Sequence, residues 1–142
     1  MGGAYWDYFV PYTNDINEAL QRLREQVFRE GSYSCSDPDD KPETIEELLE
    51  QEGESGTNSI LDITHVSDEP EFAAITPMPA ESLLEIFGTE KPTHEMVESK
   101  RGHPELTDDN PLANEGWQGA YITVYRGGKP DEIYFVGSSG DH

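Results

Sequence analysis

AYITVYRGGKPDEIYFVG, residues 120–137, decides the fold. Two runs rich in β-branched and aromatic residues, Ala120 to Tyr125 and Glu132 to Gly137, flank Arg126-Gly127-Gly128-Lys129. A Gly-Gly centre fits a tight primed turn, because both central positions need a positive φ that glycine adopts freely. The stretch reads as a β-hairpin. Pro130 lacks a backbone donor, so it predicts that one of the two strands lies at a sheet edge.

Working outward, Tyr5 to Tyr12 has the same aromatic strand character and ends at the turn Pro11-Tyr12-Thr13-Asn14. A helix follows. Thr13 or Asn14 is placed to cap it, Asp15 and Glu18 lie in its first turn, and Ile16, Leu20, Leu23 and Val27 recur at helical spacing. Glu18–Arg22 and Glu25–Arg29 are four apart in the favourable order, and Gly31 is a natural stop. Pro42 opens a second helix, Glu43 to Glu52, closed by Gly53. Asn58 to Val66 reads as a mostly buried strand with Phe72 to Thr76 as its partner. Pro77-Met78-Pro79 starts a helix over Ala80 to Phe87, Pro92 a weaker one over Thr93 to Lys100, and Arg101 to Gly116 reads as loop. The order β-α-α-β-β-α-α-β-β lacks regular βαβ alternation. It predicts one α+β domain over 1–142, with a mainly antiparallel sheet of about five strands and helices packed on it. The aromatics of the first strand and of the hairpin (Tyr121, Tyr125, Tyr134, Phe135) point to one aromatic sheet face. Residues 33–58 form an acidic, loop-rich middle, and 138–142 a flexible tail.

Charge is the second informative feature. From Ser34 to Glu90 there are sixteen carboxylates and one base, Lys41, a net charge of −15 within a chain total of −21. Apolar residues make up 34% and aromatics 10%, enough for a core despite a mean hydropathy of −0.73. The excess negative charge repels nucleic acid and anionic membrane surfaces, so neither is expected as a partner. No apolar run spans a bilayer, and Met1 to Tyr5 lacks the basic and apolar regions of a secretory signal. A single cysteine, Cys35, excludes an internal disulfide framework and suits a reducing compartment; a cytoplasmic location is expected.

The second helix carries the sharpest anomaly. Glu43, Glu46, Glu47 and Glu50 stand three and four apart on one face, with no Lys or Arg within the helix, and Asp37, Asp39 and Asp40 lie just upstream. Like charges at that spacing destabilise a helix. The face is either solubilising or a docking surface for an Arg- and Lys-rich protein. Trp117, between Gly116 and Gln118, is the candidate exposed anchor, a residue type favoured at interface hot spots. Metal and cofactor sites are not expected. Asp37-Pro38-Asp39-Asp40 lacks a calcium loop's glycine and spacing, and His65, His94, His103 and His142 show no zinc pattern. Neither a phosphate loop, a dinucleotide fingerprint nor a nucleophile elbow is present, and the acidic surroundings of Cys35 disfavour its thiolate. His65 reads as a structural histidine, His94 as exposed near a helix start.

Glu54-Ser55-Gly56-Thr57-Asn58-Ser59-Ile60-Leu61-Asp62-Ile63 and Asp131-Glu132-Ile133-Tyr134-Phe135-Val136-Gly137, with the aromatic first strand, resemble a loose group of small, acidic bacterial proteins. Some proteins of that type are immunity partners of toxins. The resemblance spans most of the chain, favours an immunity or inhibitor role slightly, and brings no established activity and no site residues. The expected function is stoichiometric binding of a basic protein, such as a nuclease toxin or another nucleic-acid-binding enzyme, by carboxylates that imitate phosphate spacing. The competing readings are an enzyme or small-molecule-binding domain with a site assembled from residues such as Asp62, His65 and Tyr121, and a solubility-adapted housekeeping protein.

Overall fold

The computed structural model describes residues 4–31, 42–51, 59–69, 73–101 and 118–139. Five strands form one sheet: β1 (Ala4–Pro11), β2 (His65–Val66), β3 (Ala74–Pro77), β4 (Gln118–Arg126) and β5 (Lys129–Ser139), in the spatial order β1-β5-β4-β3-β2. The helices are α1 (Ile16–Glu30), α2 (Ile45–Gln51), α3 (Ala80–Phe87) and α4 (His94–Ser99). The α+β class and the order of elements are those expected from the sequence. The long pairings, β1 with β5 and β4 with β5, are antiparallel. The short ones, β3 with β4 and β2 with β3, are parallel, so the sheet is mixed. The parallel step from β3 to β4 is made by α3 and α4 crossing between them.

The hairpin turns at Gly127 and Gly128, with φ of 60° and 80°, and Arg126 pairs with Lys129. Pro130 does not mark an edge, since β4 and β5 are both interior. It is accommodated where the register shifts, Val124 pairing with Glu132 but Tyr125 with Pro130 so that Asp131 is an extra residue in β5, and just past the end of β1, whose last paired residue meets Glu132. Ser138 and Ser139, expected in a loose tail, continue β5 opposite Tyr5 and Ala4. Residues 140–142 lie outside the described residues, as does the 101–116 loop beyond Arg101.

Each interior strand buries both faces. Trp6, Ile75, Ile133 and Phe135 pack with α1 (Ala19, Leu20, Leu23, Val27) and with Leu48 of α2. On the opposite face Ala120, Ile122, Val124, Tyr134 and Val136 pack with Met78 and Val97. The aromatics are therefore divided: Trp6, Tyr8, Tyr121 and Phe135 face α1, while Phe9 and Tyr134 face α3 and α4. Strand alternation forces this, because Tyr134-Phe135 and Tyr8-Phe9 are adjacent pairs that point to opposite sides. Gly119 admits the Trp6 indole: a Cβ there would stand 2.8 Å from the Val136 carbonyl oxygen and 3.0 Å from Trp6 Cη2.

Local chemistry moves several predicted boundaries. Asp15, not Thr13 or Asn14, caps α1, its Oδ1 accepting from Glu18 N–H at 3.1 Å; Thr13 Oγ1 accepts from Asp15 N–H instead. Glu18 and Arg22 form the expected ion pair. The predicted strand over 58–66 is mainly a 3-10 turn, Ile60–Asp62, leaving only two residues of β2. Ser59 Oγ accepts from Leu61 N–H, and Tyr8 Oη accepts from Ile60 N–H, so the donors a strand would spend on a ladder are taken locally. The apolar content was read correctly as buried, but its backbone was not a strand. Among the described residues no helix is long and apolar enough to cross a membrane.

Candidate functional site

The acidic face is built on α2, which starts later than its sequence pattern. Thr44 Oγ1 accepts from Glu47 N–H at 3.1 Å and caps the helix, so it begins at Ile45 and leaves Glu43 in the turn ahead of it. Glu47 Oε2 in turn accepts from Glu43 N–H at 3.0 Å, one residue ahead of the cap, and ties the preceding turn to the helix. Leu48 is fully buried and Ile45 packs beside it, which fixes the orientation of this short helix on the α1-side core. Glu43, Glu46, Glu47 and Glu50 are consequently all exposed. No ion pair among the described residues involves any of them.

One cation acts on this face from outside the helix. Arg24 of α1 donates from Nη1 to Gln21 Oε1 at 2.9 Å and from Nη2 to the Leu61 carbonyl oxygen at 3.4 Å. Its Nε is buried without a hydrogen-bond partner among the described residues. Burial lowers the guanidinium pKa, while the negative charges of Glu46 and Asp62 hold it up. Sequence reading missed this neighbour because it lies on α1, about twenty residues from α2 along the chain. Asp37, Asp39, Asp40 and Trp117 fall outside the described residues, so the glutamates of α2 are the part of the expected site that the structure locates.

A second polar region lies on the opposite face of the sheet, around α4 and the hairpin. Thr93 caps α4, accepting from Met96 N–H, while Met96 Sδ accepts from Thr93 N–H. Tyr125 N–H donates to the Pro92 carbonyl oxygen at 2.8 Å and ties the helix start to β4. His94, the first residue of α4, lies with Nδ1 2.8 Å from Glu132 Oε1 and Nε2 3.1 Å from Glu98 Oε2. Its ring packs on Phe9, with centroids 4.3 Å apart. The hydrogen bond to Glu132 is the main cause that raises the His94 pKa, with Glu98 adding to it. A recess of about 590 Å³ opens beside this histidine, between Thr93, Tyr125, Arg126 and Asp131. Just beyond α4, Arg101 Nε and Nη2 form a two-pronged pair with Asp7 at 2.6 and 3.1 Å, and Tyr134 Oη donates to Asp7 Oδ2 at 2.9 Å. Burial, then Asp7, pushes the Tyr134 phenol well above its usual pKa, and the same carboxylate raises that of Arg101.

Of the residues named for an enzymatic reading, Asp62 is buried in the 3-10 turn, and Tyr121 is half-buried on the α1 side, its pKa raised by burial and by Asp68. His65 Nδ1 lies 2.9 Å from Thr64 Oγ1. Among the described residues no group of three or more His, Cys, Asp or Glu side chains is arranged to hold a metal ion. Compared with family models, curated proteins and solved structures, the chain matches none.

Proposed function

We propose that the protein is a non-catalytic acidic binding module that docks through the α2 face onto a basic protein partner in the cytoplasm, as an immunity protein or inhibitor does. One observation carries this reading: four glutamates of one short segment are all exposed, with no ion pair among the described residues. Like charges at this spacing cost helix stability, and inside the folded chain they are offset by the Glu47 bond to the Glu43 N–H and the Glu46 attraction for Arg24. The arrangement does supply an unneutralised field, which speeds encounter with a positively charged surface and selects against acidic ones. A toxin that handles nucleic acid presents such a surface, and Glu43, Glu46, Glu47 and Glu50 would stand where phosphates otherwise lie.

The test is capture of basic proteins by the immobilised full chain at low and at high salt, repeated with the E43Q/E46Q/E47Q/E50Q variant. Capture that is strong at low salt, weak at high salt and reduced in the variant supports the reading. Equal capture by the variant returns α2 to a purely solubilising role.

A further inference from the structure

His94 stands between two carboxylates from different elements, Glu132 on β5 and Glu98 one turn further along α4. A ring that meets a carboxylate oxygen at each nitrogen donates to both only as the imidazolium. The neutral ring has a single N–H and turns a lone pair toward the other carboxylate. Phe9 packs against the ring and keeps it in that position. The charged groups around it come from every neighbouring element: Glu95 and Glu98 on α4, Asp131 and Glu132 on β5, and Arg126 at the end of β4. Lys91, before α4, lies 5.8 Å from the centroid of the Tyr125 ring. On β1, Asp7 is paired with Arg101. The start of a helix is an unfavourable place for a cation, so the neighbouring carboxylates, not the helix, favour the proton on His94.

We propose that His94 is a proton-operated latch: protonated, it ties the first turn of α4 to β5, and on losing its proton it releases that turn from β5. The release is local. Tyr125 N–H stays on the Pro92 carbonyl ahead of α4, Val97 stays buried and Arg101 stays on Asp7, so both ends of α4 keep their other anchors. The part of the surface that responds is the recess bounded by His94, Glu132, Asp131 and Arg126. Because the folded pKa of His94 is raised above its ordinary value, the latch is fully closed below the ordinary histidine range and opens as pH rises through the folded value. The histidine side chain is 44% exposed, so water reaches it to take the proton.

The experiment follows the His94 ring by NMR across pH on the full chain, with amide exchange of α4 measured in parallel and corrected for the intrinsic pH dependence of exchange. The expected result is a His94 titration above the ordinary value, accompanied by a several-fold loss of protection in α4 over the same pH range. Glu132→Gln, which keeps the ring and one partner, shifts both events to lower pH together. His94→Gln abolishes the pH-dependent step. A His94 that titrates at or below its ordinary value, α4 protection that stays constant through the titration, or the same step in His94→Gln would overturn the latch.

Discussion

The carboxylates of α2 and those around α4 are the same chemical groups under opposite conditions. At α2 four glutamates face solvent with no ion pair among the described residues, and one half-buried arginine on α1, Arg24, feels the charge of Glu46. Around α4, Asp7 has Arg101 and the Tyr134 hydroxyl, and Glu98 and Glu132 share His94. Charge density alone does not distinguish the two regions; pairing does. Where a carboxylate holds the fold together it has a donor within hydrogen-bond distance. On α2 the Glu47 carboxylate accepts from Glu43 N–H at the helix start, but no cation forms an ion pair with the four charges among the described residues. The first region presents charge outward and is attached through apolar contact; the second uses charge inward as an attachment.

The sharpest way to break this contrast is to remove the apolar attachment of α2. Leu48 is fully buried, the deepest contact the helix makes with the core. Leu48→Ala should cost about 2–5 kcal/mol in a denaturant titration, the usual range for a core leucine. It should also weaken partner capture even though every glutamate remains, because the face is presented only while α2 is seated. A cost below about 1 kcal/mol would mean that α2 is not held as described.

The matching change in the second region is Asp7→Ala. It leaves the buried Tyr134 hydroxyl without its acceptor and Arg101 without its partner, and should cost about 1–3 kcal/mol, mostly from the stranded hydroxyl. Asp7→Ala with Tyr134→Phe should recover part of that loss, since the unpaired group then disappears. If the double variant is no more stable than Asp7→Ala alone, the hydroxyl was not the source of the cost.

A third outcome separates the two attachments within the second region by pH. Tyr134 and Arg101 both have their pKa values raised from ordinary values that are already at or above 10, so neither changes charge between pH 6 and 9. The destabilisation by Asp7→Ala should be flat across that interval. His94 differs: with its folded pKa raised, its contribution is complete below the ordinary histidine value and disappears as pH rises through the folded one. Denaturant midpoints of the parent chain and of His94→Gln should therefore converge as pH rises. Parallel midpoints at every pH would assign His94 a role independent of its proton.

The sequence carried the architecture further than the site. The element order, α1 with its stop at Gly31, α3 with its stop at Gly88 and the Gly127-Gly128 turn were legible because each depends on local chemistry: helical spacing, a glycine at positive φ, a proline at a helix start. What failed depended on side-chain acceptors, some of them distant in sequence. Ser59 and Tyr8 divert the backbone donors of Ile60 and Leu61, and Tyr8 comes from a strand about fifty residues away, so an apolar run that looked like a strand became a 3-10 turn. Pro130 misled because a bulge and the shortness of β1 accommodate it inside the sheet. At the site, the exposure of the α2 glutamates followed from their spacing, whereas Arg24 beside Glu46 and the double contact of His94 did not. His94 and Glu98 are four apart, a spacing that points to a pair, but Glu132 comes from the hairpin and no spacing rule reaches it.

The smallest effect expected is also the one that decides what the α2 face is for. Helix formation from Ile45 leaves two close like-charge spacings within α2, Glu46–Glu50 and Glu47–Glu50, with Glu43 outside the helix. At about 0.2–0.5 kcal/mol per pair, neutralising them in the E43Q/E46Q/E47Q/E50Q variant should gain well under about 1 kcal/mol at low salt. Part of that gain is offset by the loss of Glu46's attraction for Arg24. Glutamine keeps a side-chain oxygen at position 47 to accept from the residue-43 N–H, so the start of the helix should be preserved. At physiological ionic strength, with screening over about 8 Å, the difference in midpoint should shrink toward zero. Partner association should respond in the opposite sense and more strongly: a slower on-rate at low salt and a flatter salt dependence. A face kept only for solubility predicts the small stability change without the kinetic one. Association rates at two salt concentrations, beside a denaturant midpoint, therefore separate the two purposes even though the stability change is small.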